Sequence, residues 1–281
     1  RNEEKVLKAI DEIKEEALAR VNAYSEFEKQ SRHLGTLQFI NIDCSDLKSV
    51  ERCCSDFLSK ESKLHLLVNN AGLMAVPFEM TKDNYEIQYL VNFVAPFLFT
   101  LRLLPALKAA KEDTVPRVVN LTSVGHFAVP KYNDPSNSLN MFPLVIYTWV
   151  RYGNAKSALI QFTKKLAQEY SGIFAFAVHP GVITDTCLYN WWDSLPYIGR
   201  IFVLAKNVAG YFMGVSPEEG CLATLRAAMD QCLGESDNGA YLVTGGQIST
   251  PSSIALNQEN IETTWHKTIE MLKERDIILS L

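Results

Sequence analysis

The stretch "RYGNAKSALI" (151–160) sets Tyr152 four residues before Lys156. It reads as helix, so both side chains fall on one face, one turn apart. A phenol with an ammonium beside it is an acid–base device. Its pKa near 10 must move by about 3 units, or ~4 kcal/mol, for work near neutral pH. One positive charge at ~4 Å in an effective dielectric of ~20 supplies an interaction of that size. The spacing itself is weak evidence. In 281 residues with 11 Tyr and a comparable supply of Lys, about one such pair is expected by chance. The rest of the chain must decide between chemistry and surface decoration.

The elements that would position the pair alternate. "TLQFINID" (36–43), "KLHLLVNNAG" (63–72), "PRVVNLTS" (116–123), "GIFAFAVHPG" (172–181) and "AYLVT" (240–244) read as strands. Between them lie helical stretches at 46–60, 84–110, 151–170 and 217–232, and a charged amphipathic helix over 3–30 carries the stripe Val6, Ile10, Ile13, Ala17, Val21. Residues 128–145 read as a loop. Alternation of this kind predicts one α/β domain over 1–281, a doubly wound, mostly parallel, Rossmann-like sheet. Ligands of such sheets bind beyond the carboxyl ends of the strands. Four polar turns fall there: Asp43, Asn69 to Gly72, Thr122–Ser123, and His179 to Gly181.

Composition narrows the function classes. With 47% hydrophobic and 21% charged residues the chain is globular. A net charge of −5 with no basic block argues against a nucleic-acid partner. The six Cys show no CxxC and no metal-ligand spacing, which favours a reducing, cytoplasmic setting and no metal. Residues 196–215 carry only Arg200 and Lys206 as charges. Apolar residues recur at helical spacing from Ile198 to Phe212, with Trp191 and Trp192 just before. This reads as a lid over an apolar pocket or, alternatively, a helix lying on a membrane surface over 191–215. It is too interrupted to span a bilayer.

With these pieces in order, the chain resembles the short-chain dehydrogenase/reductase family, in its retinol-dehydrogenase-like and fungal secondary-metabolite branch. The resemblance rests on "NNAG" (69–72), "YLVNFVAPF" (89–97), "VVNLTS", "YGNAK", "HPG" and "GAYLVTGG". The 28 residues between Ser123 and Tyr152 fit that branch. The resemblance implies catalytic roles for Asn92, Ser123, Tyr152 and Lys156. Tyr152 would exchange the proton at the substrate oxygen and Ser123 would hydrogen-bond that oxygen. Lys156 would also bind the nicotinamide ribose, and Asn92 would hold a water leading from Lys156 to solvent. Cofactor contacts are implied for Arg1, Asp43, Asn70, Ala71, Gly72, Tyr152, Lys156, Pro180, Gly181, Ile183 and Thr184. The cofactor is expected to be NADP(H), because a basic residue such as Arg1 would read the 2′-phosphate. The substrate would be a small lipophilic carbonyl or alcohol, walled by Phe127, Trp149, Trp191, Trp192 and Phe202, and a homo-oligomer is a further expectation. His126 and His179 read as structural.

Two departures stand out. The family's glycine-rich turn, TGxxxGxG, which holds the pyrophosphate at a helix N-terminus, has no match among the 14 Gly. The 281 residues therefore read as N-terminally truncated, without the first two strands and the phosphate loop. On that reading they bind NADPH weakly, and 36–43 either loses its partners or pairs with 64–68. In "PGVITDT", Asp185 stands where the family has Thr, flanked by Thr184 and Thr186. Two other readings share these residues: a non-catalytic relic or interaction protein of the same fold, and an epimerase or dehydratase of the same superfamily.

Overall fold

The computed structural model describes residues 3–29, 32, 34–136, 144, 147–183, 187–196 and 198–279. Helix α1 (Glu3–Asn22) buries none of its residues, and a short α2 (Glu26–Lys29) follows. Helix α3 (Leu47–Lys60) starts at Asp46, whose side chain accepts the Lys48 N–H, and it buries Leu47, Val50, Cys53 and Cys54 on one face. Strand β1 (Leu66–Asn69) leads into the "NNAG" turn.

The expected helix over 84–110 is broken twice, each time near a proline. Helix α4 (Ile87–Tyr89), capped by Glu86, passes through a π-turn at Leu90–Val94 into α5 (Ala95–Arg102). Pro96 has no N–H, and its ring would strike the carbonyl four residues back, that of Asn92, in a regular helix. The wider turn relieves this, with the Ala95 N–H reaching Leu90 O. Pro105 does the same to α6 (Leu104–Ala110), which bends away from α5 by 55°. No single helix among the described residues is long and apolar enough to cross a membrane.

Strand β2 (Arg117–Leu121) ends in a 3₁₀ turn, Val124–Ala128. Helix α7 (Thr148–Glu169) carries Tyr152 and Lys156 and is buried along most of its length. After β3 (Phe174–Val178) come α8 (Asn190–Asp193) and α9 (Ile198–Met213), the helix expected over the lid segment. Helix α10 (Pro217–Met229) has a capping box between Ser216 and Glu219. The order closes with β4 (Tyr241–Val243), β5 (Gln247–Ser249), α11 (Ser253–Leu256) and α12 (Gln258–Lys273).

The five strands form one sheet in the order β1-β2-β3-β4-β5, parallel except for β5. This is the α/β architecture expected, with corrections at both ends. Residues 36–43 form no strand and pair with nothing in the sheet, so β1 is the edge. Their β-like composition does not suffice, because a strand exists only where a neighbour takes its N–H and C=O groups. At the other end β5, α11 and α12 go beyond the expected elements. Trp265 of α12 packs on Phe97 and Phe162 at 5.3 and 6.1 Å between ring centroids, which welds α12 to α5 and α7.

Candidate active site

Helix α7 is stitched to the carboxyl end of β2 by buried polar side chains. Asn69 Nδ2 donates to Asn120 Oδ1 at 2.7 Å, and Asn120 Nδ2 donates to Thr163 Oγ1 at 2.9 Å. One level up, Thr122 Oγ1 donates to the Lys156 carbonyl at 3.0 Å and Lys156 Nζ donates to the Leu121 carbonyl at 2.7 Å. Buried groups left unpaired would each cost about 1–3 kcal/mol, so these rungs fix the register of the helix on the strand.

That register sets Tyr152 against the Ser123 turn. The side chain of Ser123 faces the Tyr152 phenol closely enough to work against the rise in its pKa, and Ser123 Oγ accepts the Gly125 N–H at 3.1 Å. Two glycines make the approach possible. A Cβ on Gly125 would lie 2.9 Å from Tyr152 Cε1, and one on Gly153 would lie 2.5 Å from the Gly125 carbonyl. A third, Gly72, brings the "NNAG" turn onto the other side: its Cβ would sit 2.8 Å from Asn92 Oδ1 and 3.6 Å from Lys156 Nζ. Ser123 and Tyr152 thus share one contact, while Gly72, Asn92 and Lys156 share another. Lys156 joins the two, with Nζ 5.7 Å from the centre of the Tyr152 ring.

The electrostatics differ from the simple expectation. Burial pushes the Tyr152 phenol up to about 12, against the lowering effect of the Ser123 side chain. Burial pulls Lys156 down to about 7. The ammonium is committed to the Leu121 carbonyl rather than to the phenol oxygen, so desolvation outweighs pairing. Asn92 also differs. Its Nδ2 donates to the carbonyls of Leu73 and Gln88, both at 2.8 Å, and its Oδ1 accepts the Leu73 N–H at 3.1 Å. The side chain is spent on holding the turn after β1.

Beside Tyr152 lies an apolar wall. Met74 and Ala75 are buried with it, and Trp149, Tyr189 and Trp192 pack against them. Trp192 stacks on Trp149 at 5.9 Å, Trp191 meets Trp192 edge-on at 4.9 Å, and Trp192 Nε1 donates to the Ala75 carbonyl at 2.8 Å. Ala75 holds a positive φ of 52°. Its N–H donates to Gln88 Oε1 at 2.7 Å, and Gln88 Nε2 reaches Thr148 at the start of α7. Phe127 is not part of this wall: it is 56% exposed and its ring lies tilted against His126.

Of the expected cofactor contacts, Asn70, Ala71 and Gly72 lie open on the turn after β1, and Pro180, Gly181 and Ile183 are half-buried after β3. Gly181, with φ of 102°, lies against Val215 and Thr244. Asp43 accepts the Ser45 N–H and hydroxyl at 2.9 and 2.7 Å in the turn before α3. Arg1, Thr184, Asp185 and Thr186 lie outside the described residues, as does the side chain of Phe202. No group of three or more His, Cys, Asp or Glu among the described residues could hold a metal. Gln88, Asn120, Gly125 and Gly153 escape sequence reasoning, although the Gly inside "YGNAK" marks a close approach.

A sheet with ligand turns at one edge and a Ser–Tyr–Lys cluster under them defines a Rossmann-like oxidoreductase. The model for short chain dehydrogenases matches residues 2–133. An oxidoreductase of Schizosaccharomyces pombe is 34% identical over 97% of this chain and 77% of its own length. Retinol dehydrogenase 12 of Mus musculus is 32% identical over 82% of this chain and 68% of its own length. A solved Mycobacterium Paratuberculosis protein superposes with a TM-score of 0.58 at 26% identity, covering 85% of this chain and 76% of that one. NADPH-bound carbonyl reductase from chicken shares the fold, with a TM-score of 0.51 at 23% identity over 76% of this chain and 77% of that one. The chain belongs to the short-chain dehydrogenase/reductase family, in its retinol-dehydrogenase-like branch, and is an oxidoreductase of that family.

Proposed function

We propose that the protein interconverts a small lipophilic carbonyl compound and its alcohol with NADP(H), using Tyr152 as the general acid and base. The observation that carries this reading is the approach of the half-buried Ser123 to the buried Tyr152, with Lys156 behind it and the tryptophan wall beside it. The nicotinamide end of the cofactor fits this chain. The 70–72 turn is open, Gly72 has no side chain to block the approach, and the only cation at the base of the cleft is Lys156 among the described residues. When bound, the nicotinamide supplies the hydride for the carbonyl carbon, or accepts it in the reverse direction.

The protein's own residues do the rest. Ser123 holds the substrate oxygen and Tyr152 gives it a proton, so hydride and proton together make the alcohol. A phenol held near 12 is a willing donor only if positive charge gathers close to it. Lys156 is the chain's source of that charge, and a substrate that excludes water strengthens its effect. Asn92 fixes the turn after β1. Trp149, Tyr189 and Trp192 favour an apolar substrate body. The test is NADPH oxidation, followed at 340 nm, with retinal and medium-chain aldehydes, beside the same assay with NADH and with Tyr152→Phe. Turnover with NADPH that vanishes in the variant supports the reading. A variant as active as the parent overturns it.

A further inference from the structure

His126 is fully buried in the 3₁₀ turn that follows Ser123, and neither ring nitrogen is idle. Nε2 lies 3.1 Å from the backbone nitrogen of Ser252, and Nδ1 lies 2.6 Å from the Ser123 carbonyl. A backbone N–H can only donate, so Nε2 must be the bare nitrogen. The neutral ring then carries its proton on Nδ1, where it donates to Ser123 O. The backbone N–H of His126 reaches the same carbonyl at 3.2 Å.

The geometry points to His126 as the positioning residue for Ser123: as the Nδ1–H tautomer it clamps the turn carrying Ser123 to the Ser252 backbone, on the far side of β5. The role in catalysis rests on the function proposed above. It follows from what the turn touches. Ser123 Oγ contacts the Tyr152 phenol, and Gly125 lies flat against the Tyr152 ring. A turn that swings out moves both surfaces that define where the substrate oxygen sits. The clamp ties them to Ser252, which caps α11 by accepting the Ala255 N–H.

The ring has little freedom. Phe127 lies against it, tilted by 37° at 4.1 Å between centroids, and Tyr241 of β4 meets it edge-on at 5.2 Å. The titratable groups facing it are Tyr241 and His179, which follows β3. Tyr241 is pushed up by burial, and His179 is pulled down to about 4 by burial and by His126 itself. His126 is likewise held below its ordinary range by burial, against the hydrogen bond to Ser123. Protonating it would point an Nε2–H at the Ser252 N–H, two donors facing one another, and the clamp would open.

Ser252 offers a clean test. Its φ of −57° suits proline, so Ser252→Pro removes the N–H without forcing the backbone. Ser252→Ala loses the same capping hydroxyl but keeps the N–H. Long-range proton–nitrogen NMR on the full chain identifies the His126 ring as the signals lost in His126→Gln. The expected result is Nδ1–H with a bare Nε2 at pH 7 in the parent and in Ser252→Ala. In Ser252→Pro the midpoint of His126 should rise by about one unit, since the bond favouring the neutral ring is gone. The acid limb of kcat should move with it, at unchanged KM. An Nε2–H tautomer in the parent, or superimposable titrations for the two Ser252 variants, overturns the clamp. A shifted NMR midpoint with a kcat profile that stays put overturns the link to Ser123. If the parent reduces no carbonyl compound at all, the proposed function fails, and the NMR titrations still decide the clamp.

Discussion

Strands β1 and β2 are neighbours in one sheet, yet they live in different surroundings. In β2 every residue after Arg117 is buried. In β1 burial alternates, and Leu66 and Val68 are 38% and 37% exposed. Both strands read as apolar runs that want cover on two faces, as parallel strands do. Strand β2 has α7 on one side and α10 on the other. Strand β1 has cover on one face only, and 36–43 adds no strand beside it. The chemistry sits with the doubly covered strand. Acid–base groups are perturbed where the setting is dry and fixed, and the β2–α7 region provides such a setting for Tyr152 and Lys156.

The sharpest way to break this contrast is at Tyr152. Removing its hydroxyl in Tyr152→Phe should lower kcat by about 10²–10⁴-fold. The melting temperature should hardly move, since the substitution keeps the buried ring that packs against Met74 and Ala75. A variant that loses stability but keeps turnover would make Tyr152 a packing residue.

Next come truncations of equal size in the two regions. Leu159 of α7 is 0% exposed, and Leu159→Ala should cost about 2–5 kcal/mol in chemical denaturation. Leu66→Ala at the edge should cost under about 1 kcal/mol, because the removed atoms are already near water. Equal losses would mean that Leu66 is covered in solution.

The parts of this contrast that the sequence reveals are those carried by local pattern. Strands β1 to β4 and helices α3, α7 and α10 follow from periodicity, although α3 is capped by Asp46 rather than by the Ser45 before it, and the Tyr152–Lys156 face follows from a spacing of four. The rest depends on partners far along the chain. "TLQFINID" has β composition but no ladder neighbour. The helix over 84–110 reads as continuous because its pattern is unbroken, although Pro96 and Pro105 announce the π-turn and the bend. Helix α12 has no motif, and its place is fixed by Trp265 reaching Phe97 and Phe162. The Lys156 amine also illustrates the limit. Four-residue spacing suggests a pair, but the ammonium donates instead to the Leu121 carbonyl at the end of β2, an acceptor far away in the sequence.

Lys156 gives the two regions different pH responses. Its folded value of about 7 lies well below the ordinary 10.5. Between those values the unfolded chain binds a proton that the folded chain does not, so stability should rise with pH from about 7 towards 10. Below 7 both states are charged and the full penalty of burying the ammonium remains. The rise should be a few kcal/mol at most, read by urea denaturation at stepped pH. Lys156→Met should flatten it, while Lys48→Met on an exposed face of α3 should not. A slope that survives in Lys156→Met would assign it to other groups.

The smallest expected effect concerns the edge itself. Val68 points outward from β1, and an exposed apolar edge invites pairing with other chains. Val68→Lys adds a charge where the side chain is already 37% exposed, so folding stability should change by no more than about 0.5 kcal/mol. Self-association should fall all the same, because a charge on an edge strand would have to be desolvated for a second strand to dock. The same substitution in β2, Val119→Lys, would bury a charge at a fully enclosed position and should prevent folding. Light scattering of the Val68 variant against the parent, at matched concentration, reads the difference. Unchanged scattering with unchanged stability would mean that the edge of β1 is not where copies meet. A collapse in stability would mean that β1 is enclosed on both faces after all, and the contrast between the strands would be gone.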